Sequence, residues 1–198
     1  MSNIFAELTG THPTRESWLV EGAAKLADRF SLAPRPHCVS VGFPRLRGRG
    51  SRADGQTWTP SESEDTRHHV FISPAVSDAP RALLILLHEM IHCSAPMPAD
   101  PASDPHDAEF VALAASCGLI APWTHAKASP DTLTILATLA RELGPYPHGA
   151  LHPKRIATGG TRLRLWQCAC PRPVKVRVAS DDFQATCNRC NHPFVRAA

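Results

Sequence analysis

The apolar positions of this chain change rhythm several times. In residues 14–30, TRESWLVEGAAKLADRF, the residues Trp18, Leu19, Ala23, Leu26 and Phe30 recur at helical spacing, and Thr14 stands where an N-cap belongs. The rhythm then shortens. HCVSVGF, residues 37–43, sets Val39, Val41 and Phe43 on alternate positions, and TWTP (57–60) and HHVFIS (68–73) read as two further short strands. A small antiparallel sheet following the first helix is expected. RLRGRGSRADG, between the first two strands, is rich in Gly and Arg and predicts a loop.

Residues 79–93 follow a different pattern. Asp78 offers a cap, Pro80 sits in the first turn, and Ala82, Leu83, Leu84, Ile85, Leu86, Leu87, Met90 and Ile91 cover nearly the whole circumference. A helix apolar all round is buried in the middle of its domain. SAPMPADPASDP cannot continue it. HDAEFVALAASC, residues 106–117, predicts another helix closed by Gly118, and Ser129-Pro130 opens one that runs to 143 and ends at Gly144.

Three residues of the buried helix do not belong in an ordinary core: His88, Glu89 and His92. The two histidines are four apart, so they share a helix face one turn from each other. Two imidazoles so placed can ligate one zinc ion. Glu89 is rotated about 100° from His88 and can act on a water beside the metal without ligating it. Unpartnered, two His and a Glu in an apolar helix are costly to bury, and a metal supplies the partner. A chain of this composition should show the five-residue pattern by chance only about 0.02 times, which favours zinc over satisfied core residues.

A catalytic zinc takes a third protein ligand and keeps one position open. A continuation with Gly at 95 and His at 98 is absent, because Ala95 and Pro98 stand there. The next candidates are Asp104, His106, Asp107 and Glu109. His106 is favoured as the His within reach of the loop, with Glu109 one turn on as the alternative.

After residue 160 the text changes again. TRLRLWQ and VKVRVAS alternate like strands and are flanked by Cys168, Cys170, Cys187 and Cys190. The pairs C-x-C and C-x-x-C, with a strand between, predict a closed four-thiolate structural zinc site. His192 is a weaker substitute for one of the four. A subdomain this small needs such a staple. The remaining cysteines, Cys38, Cys93 and Cys117, read as small buried hydrophobes. A boundary is expected in KRIATGG, giving a domain over 1–153 and a ribbon over 160–198.

Composition adds less. The 198 residues are 43% apolar, which is globular, and the net charge is only +3. That charge is unevenly spread: residues 153–198 hold nine Lys/Arg against two Asp, and the remainder holds twelve against sixteen acids. A basic module suggests nucleic acid as partner. Arg162, Arg164, Arg172, Lys175 and Arg177 would neutralise phosphates and Trp166 would stack on bases, with Phe183, Arg189 and Arg196 nearby. Arg45, Arg47, Arg49 and Arg52 form a second basic cluster. No apolar stretch reaches the roughly 18 residues of a membrane span, and no signal peptide is read, so a cytoplasmic protein is expected. Tyr146 and His148, in a rigid loop, read as loop packing, with donation to an oxyanion as the alternative.

HEMIH, the HDAEF–ALAASCGL segment, SVGFPRLRGRG, the WTP and FISP strands and LGPYPH together resemble the SprT-like metalloproteases, which include the DNA-dependent protease Spartan. The resemblance covers most of the chain. It implies an α+β fold: a compact zincin-like domain with a C-terminal zinc ribbon. It also implies His106 as third ligand, since family members carry a His followed three or four residues later by an aromatic. A frequent family form has Gly after that His, where this chain has Asp107. The implied activity is zinc endopeptidase action on DNA-associated or DNA-crosslinked proteins, with Glu89 as general base, one catalytic and one structural zinc. A nucleic-acid-binding zinc protein with a non-catalytic zincin scaffold is the competing expectation.

Overall fold

The computed structural model describes residues 12–44, 46–47, 51–96, 104–152 and 163–197. The chain divides into two compact units, Met1–His152 and Pro153–Ala198. The expected linker segment 153–160 and Arg162 lie outside the described residues, as do Arg45 and Arg49 and the side chains of Arg47 and Arg52. No helix among the described residues is long and apolar enough to cross a membrane.

The first unit is a mixed α+β arrangement. Helix α1 (Arg15–Arg29) starts at Thr14, whose hydroxyl accepts from the Ser17 amide in a capping box. Strands β1 (His37–Val41), β4 (Gly55–Trp58) and β5 (His68–Ile72) form one sheet, and β2 (Leu46–Arg47) pairs with β3 (Ser51–Arg52) in a two-stranded ribbon. Helix α2 (Ala79–Ser94) starts on the Asp78 carboxylate, which accepts from the Arg81 amide at 2.9 Å. Helices α3 (Ala108–Ser116) and α4 (Pro130–Leu143) follow, capped by Asp107 and Ser129.

The expected antiparallel sheet is corrected to a mixed one. Its order is β1-β5-β4, with β4 antiparallel to β5 but β1 parallel to it, His37 opposite His68 and Val41 opposite Ile72. The physical reason is the chain path: β2, β3 and β4 lie between β1 and β5, a connection long enough for the crossover that parallel partners need. β5 alternates buried His68, Val70 and Ile72 with less buried His69 and Phe71, so its apolar face needs cover along its whole length. The intervening chain returns β1 and β5 in the same direction, and α1 and α2 close over the buried face.

The core sits around α2. Leu83, Leu86, Leu87, Met90 and Ile91 are fully buried, together with Trp18, Leu26, Phe110 and Leu136 from the other helices. At roughly 1.5–3 kcal/mol for each fully buried large apolar side chain, this helix is fixed by packing rather than by propensity. The loop after α4 is tied down by Arg15. Its buried guanidinium donates to the carbonyls of Pro74, Pro147, His148 and Gly149 at 2.8–3.2 Å.

The second unit is a three-stranded antiparallel sheet of β6 (Arg164–Gln167), β7 (Lys175–Val178) and β8 (Val195–Arg196), in the order β7-β6-β8. Among its described residues only Cys168 and Cys187 are buried.

Candidate metal centres

Helix α2 presents His88 and His92 one turn apart, as the spacing requires. His106 arrives from the loop ahead of α3. Residues 106–107 were expected inside that helix, but Asp107 caps it, its carboxylate accepting from the Phe110 amide at 3.0 Å, so His106 lies just outside. That position leaves its ring free to turn back towards α2. His88 Nε2 is 3.3 Å from His92 Nε2 and 3.4 Å from His106 Nε2. Nitrogens bound to one tetrahedral zinc at about 2.05 Å lie ~3.3–3.4 Å apart, so the two spacings fit that ion. The structure therefore brings together His88, His92 and His106 as a group that could hold a metal ion. Glu109 is exposed on α3 and does not join them.

Phe110 is the support for this group. It is 1% exposed, stacks on His92 with ring centroids 4.3 Å apart, and meets His88 and His106 edge-on at 5.2 and 4.8 Å. Asp104 accepts from the His106 amide at 2.9 Å and stands 3.6 Å from its Nδ1. A carboxylate on the far side of a ligating imidazole favours the tautomer that leaves the other nitrogen for metal.

Glu89 lies in the wall of the same cleft, a cavity of about 620 Å³. It is buried, and Thr57 Oγ1 donates to its Oε2 at 2.8 Å. Strand β4 comes this close only because residue 55 is glycine: a Cβ there would stand 2.5 Å from Ile85 and 2.6 Å from Glu89 Oε1. Thr57 and Gly55 were not singled out in the sequence: Thr57 opens the expected TWTP strand, and Gly55 ends the segment expected as a loop but begins β4.

His68 is another unsingled residue of the cleft wall. It is 1% exposed, and neither ring nitrogen finds a hydrogen-bond partner among the described residues. Burial, helped by the nearby Arg35 charge, pushes its pKa below the usual histidine value, so it stays neutral. Tyr146 does not line the cleft. Its ring packs edge-on to Trp18 at 4.8 Å and beneath the Arg15 guanidinium, and burial pushes its pKa to about 12. His148 serves through its carbonyl, which Arg15 holds. Cys93 and Cys117 are buried thiols, with burial raising Cys93 to about 12. Cys38 departs from expectation, being only half-buried.

In the second unit Cys168, Cys170, Cys187 and Cys190 converge as a group that could hold a metal ion. Cys170 Sγ is 3.9 Å from Cys187 Sγ, against about 3.8 Å for two thiolates on one zinc at 2.3 Å. The local electrostatics fit a cation. The His192 amide lowers the Cys190 thiol to about 6, and the Cys170 amide lowers Cys168. Cys170, crowded by the sulfurs of Cys168 and Cys190, is pushed up to about 12. A divalent ion among the four sulfurs removes that repulsion. His192 turns its Nδ1 to the Cys190 carbonyl instead of joining the group.

The basic residues divide. Arg172 and the β7 pair Lys175 and Arg177 are exposed, the pair on one strand face, as are Arg189 and Arg196. Arg164 is committed to the Ala179 carbonyl and to Asp181. Trp166 packs edge-on to Phe183 at 5.5 Å and contributes to the subdomain's small interior.

Comparisons of the chain with family models, with curated proteins and with solved structures each return no match.

Proposed function

We propose that this chain is a zinc-dependent endopeptidase of the SprT-like type, acting on proteins associated with or crosslinked to DNA. The observation that carries the reading is the convergence of three imidazoles at metal-ligand spacing in a cleft that also holds Glu89. His88, His92 and His106 would hold the catalytic zinc, and the four cysteines a structural one. The chemistry zinc supplies when bound is Lewis acidity, which polarises a carbonyl and acidifies a water. Glu89 takes the proton of the attacking water and returns it to the departing amine nitrogen. Thr57 fixes the rotation of that carboxylate before substrate arrives. β4 is an edge strand whose residues line the cleft, which suits an extended peptide laid alongside it. Arg172, Lys175 and Arg177 would meet phosphate, confining cleavage to proteins on DNA.

The test compares wild type with Glu89→Gln, measuring metal content and cleavage of a DNA-binding protein with and without single-stranded DNA. The expected result is unchanged metal content, with cleavage reduced about 10²–10⁴-fold in the variant. Metal binding with no cleavage under any condition would instead favour a nucleic-acid-binding zinc protein. Cleavage indifferent to DNA would keep the protease and remove the recruitment.

A further inference from the structure

The sheet that supports α2 has a second face, and that face carries its own cluster. Alternation along β5 sends His68 to the cleft and His69 to the opposite side, with Phe71. Cys38 on β1 is the register partner of His69 across the parallel pair, so the two side chains lie side by side on that outer face. Asp65, from the loop entering β5, places Oδ1 3.0 Å from His69 Nε2.

We infer that Cys38, Asp65 and His69 form a further metal site, for a divalent cation of the zinc class. One ligand atom from each lies within 4.8 Å of the others. A thiolate, an imidazole and a carboxylate together match the donors zinc takes, and hard cations such as magnesium do not select sulfur. The Asp65–His69 contact is close to the ~3.3 Å that nitrogen and oxygen ligands of one zinc span. A cation would therefore replace the proton these two share with little movement.

Two of the three ligands are already oriented without it. The Ser63 hydroxyl donates to Asp65, the Arg67 amide donates to the same oxygen at 3.1 Å, and Ser63 Oγ lies 3.0 Å from His69 Nε2. Cys38 supports the assignment by its difference from Cys93 and Cys117. Those are buried in the core, whereas Cys38 is half-buried beside a nitrogen and an oxygen. His69 also borders a recess of about 500 Å³ lined by Phe43, Gln56, Trp58 and Phe71. Three protein ligands beside open space leave a fourth position for water or a small ligand.

The test uses the full chain, stripped with chelator and reloaded with zinc alone. Metal per chain is read by native mass spectrometry, and alkylation of each cysteine by peptide mapping. Wild type should hold one more zinc than Cys38→Ser or His69→Ala. Zinc should slow alkylation of Cys38 at least tenfold in wild type and leave it unchanged in His69→Ala. Should His69→Ala lose its fold, Asp65→Asn, in the loop, serves for the same comparison. Equal metal content in wild type and variants, or Cys38 alkylation indifferent to zinc, overturns the site. Because the readout is a difference of one ion, it does not depend on whether the chain cleaves proteins.

Discussion

The two units reach order by different physics. In the first, α2 is surrounded by Trp18, Leu26, Ile72, Phe110 and Leu136, and its metal-ligating candidates are mounted on a core that exists without them. In the second, the buried residues among those described are Cys168 and Cys187 alone, so the interior of the ribbon is little more than its cluster of sulfurs and the Trp166–Phe183 contact. A metal in the first unit would be a tool held by the fold. In the second it would be the fold.

Chelation should separate the units most sharply. Structural zinc contributes about 10–16 kcal/mol in small domains, so metal removal should unfold residues 163–197 and leave the first unit's amides protected from exchange. Regional hydrogen exchange reads this directly, and a ribbon that stays protected without metal would erase the contrast. Core truncation should do the reverse. Leu86→Ala should cost the first unit about 2–5 kcal/mol in denaturant unfolding, with the ribbon's metal content unchanged. Thr57→Val tests the tool alone. Loss of a hydrogen bond to a charged group, about 1.5–3 kcal/mol, should lower cleavage ~10–100-fold with little effect on folding or bound metal. An unaltered rate would show that Thr57 has no positioning role.

Alkali should loosen the first unit. Cys93 and Tyr146 are raised in the fold to about 12 from ordinary values of 9.0 and 10.0. Their unfolded forms ionise first, so the first unit should lose stability as pH rises from about 9 towards 12. The ribbon's thiols carry no such single sign, because Cys168 and Cys190 are lowered while Cys170 beside them is raised. Regional exchange against pH checks the sign, and first-unit protection unchanged between about pH 9 and 12 would refute it.

What the sequence made legible follows the same division. The position of α2 was readable because Asp78 and Pro80 mark its start and its apolar circumference forces burial. His88, Glu89 and His92 follow from helix geometry, and the cysteine pairs from spacing alone. The parallel pairing of β1 with β5 was not readable, since alternation tells which face a strand buries and not which neighbour it takes. Gly55 and Thr57 escaped for a related reason. Their role comes from the approach of an edge strand to a helix thirty residues on, a distance set by packing. Trp166 was legible as an aromatic among basic residues, but its contact with Phe183 required the fold.

Phe110 has a last consequence. Its ring lies nearly parallel to that of His92, at an interplanar angle of 27°, and edge-on to the other two imidazoles. An aromatic ring shields nuclei above its plane and deshields those at its rim. The imidazole carbon-bound protons of His92 should thus resonate away from their positions in a free histidine, and those of His88 and His106 should be displaced differently. The packing that gathers the three side chains also gives each a separate magnetic signature. Assembly of the centre can be followed by proton spectroscopy, with no label, substrate or coloured metal.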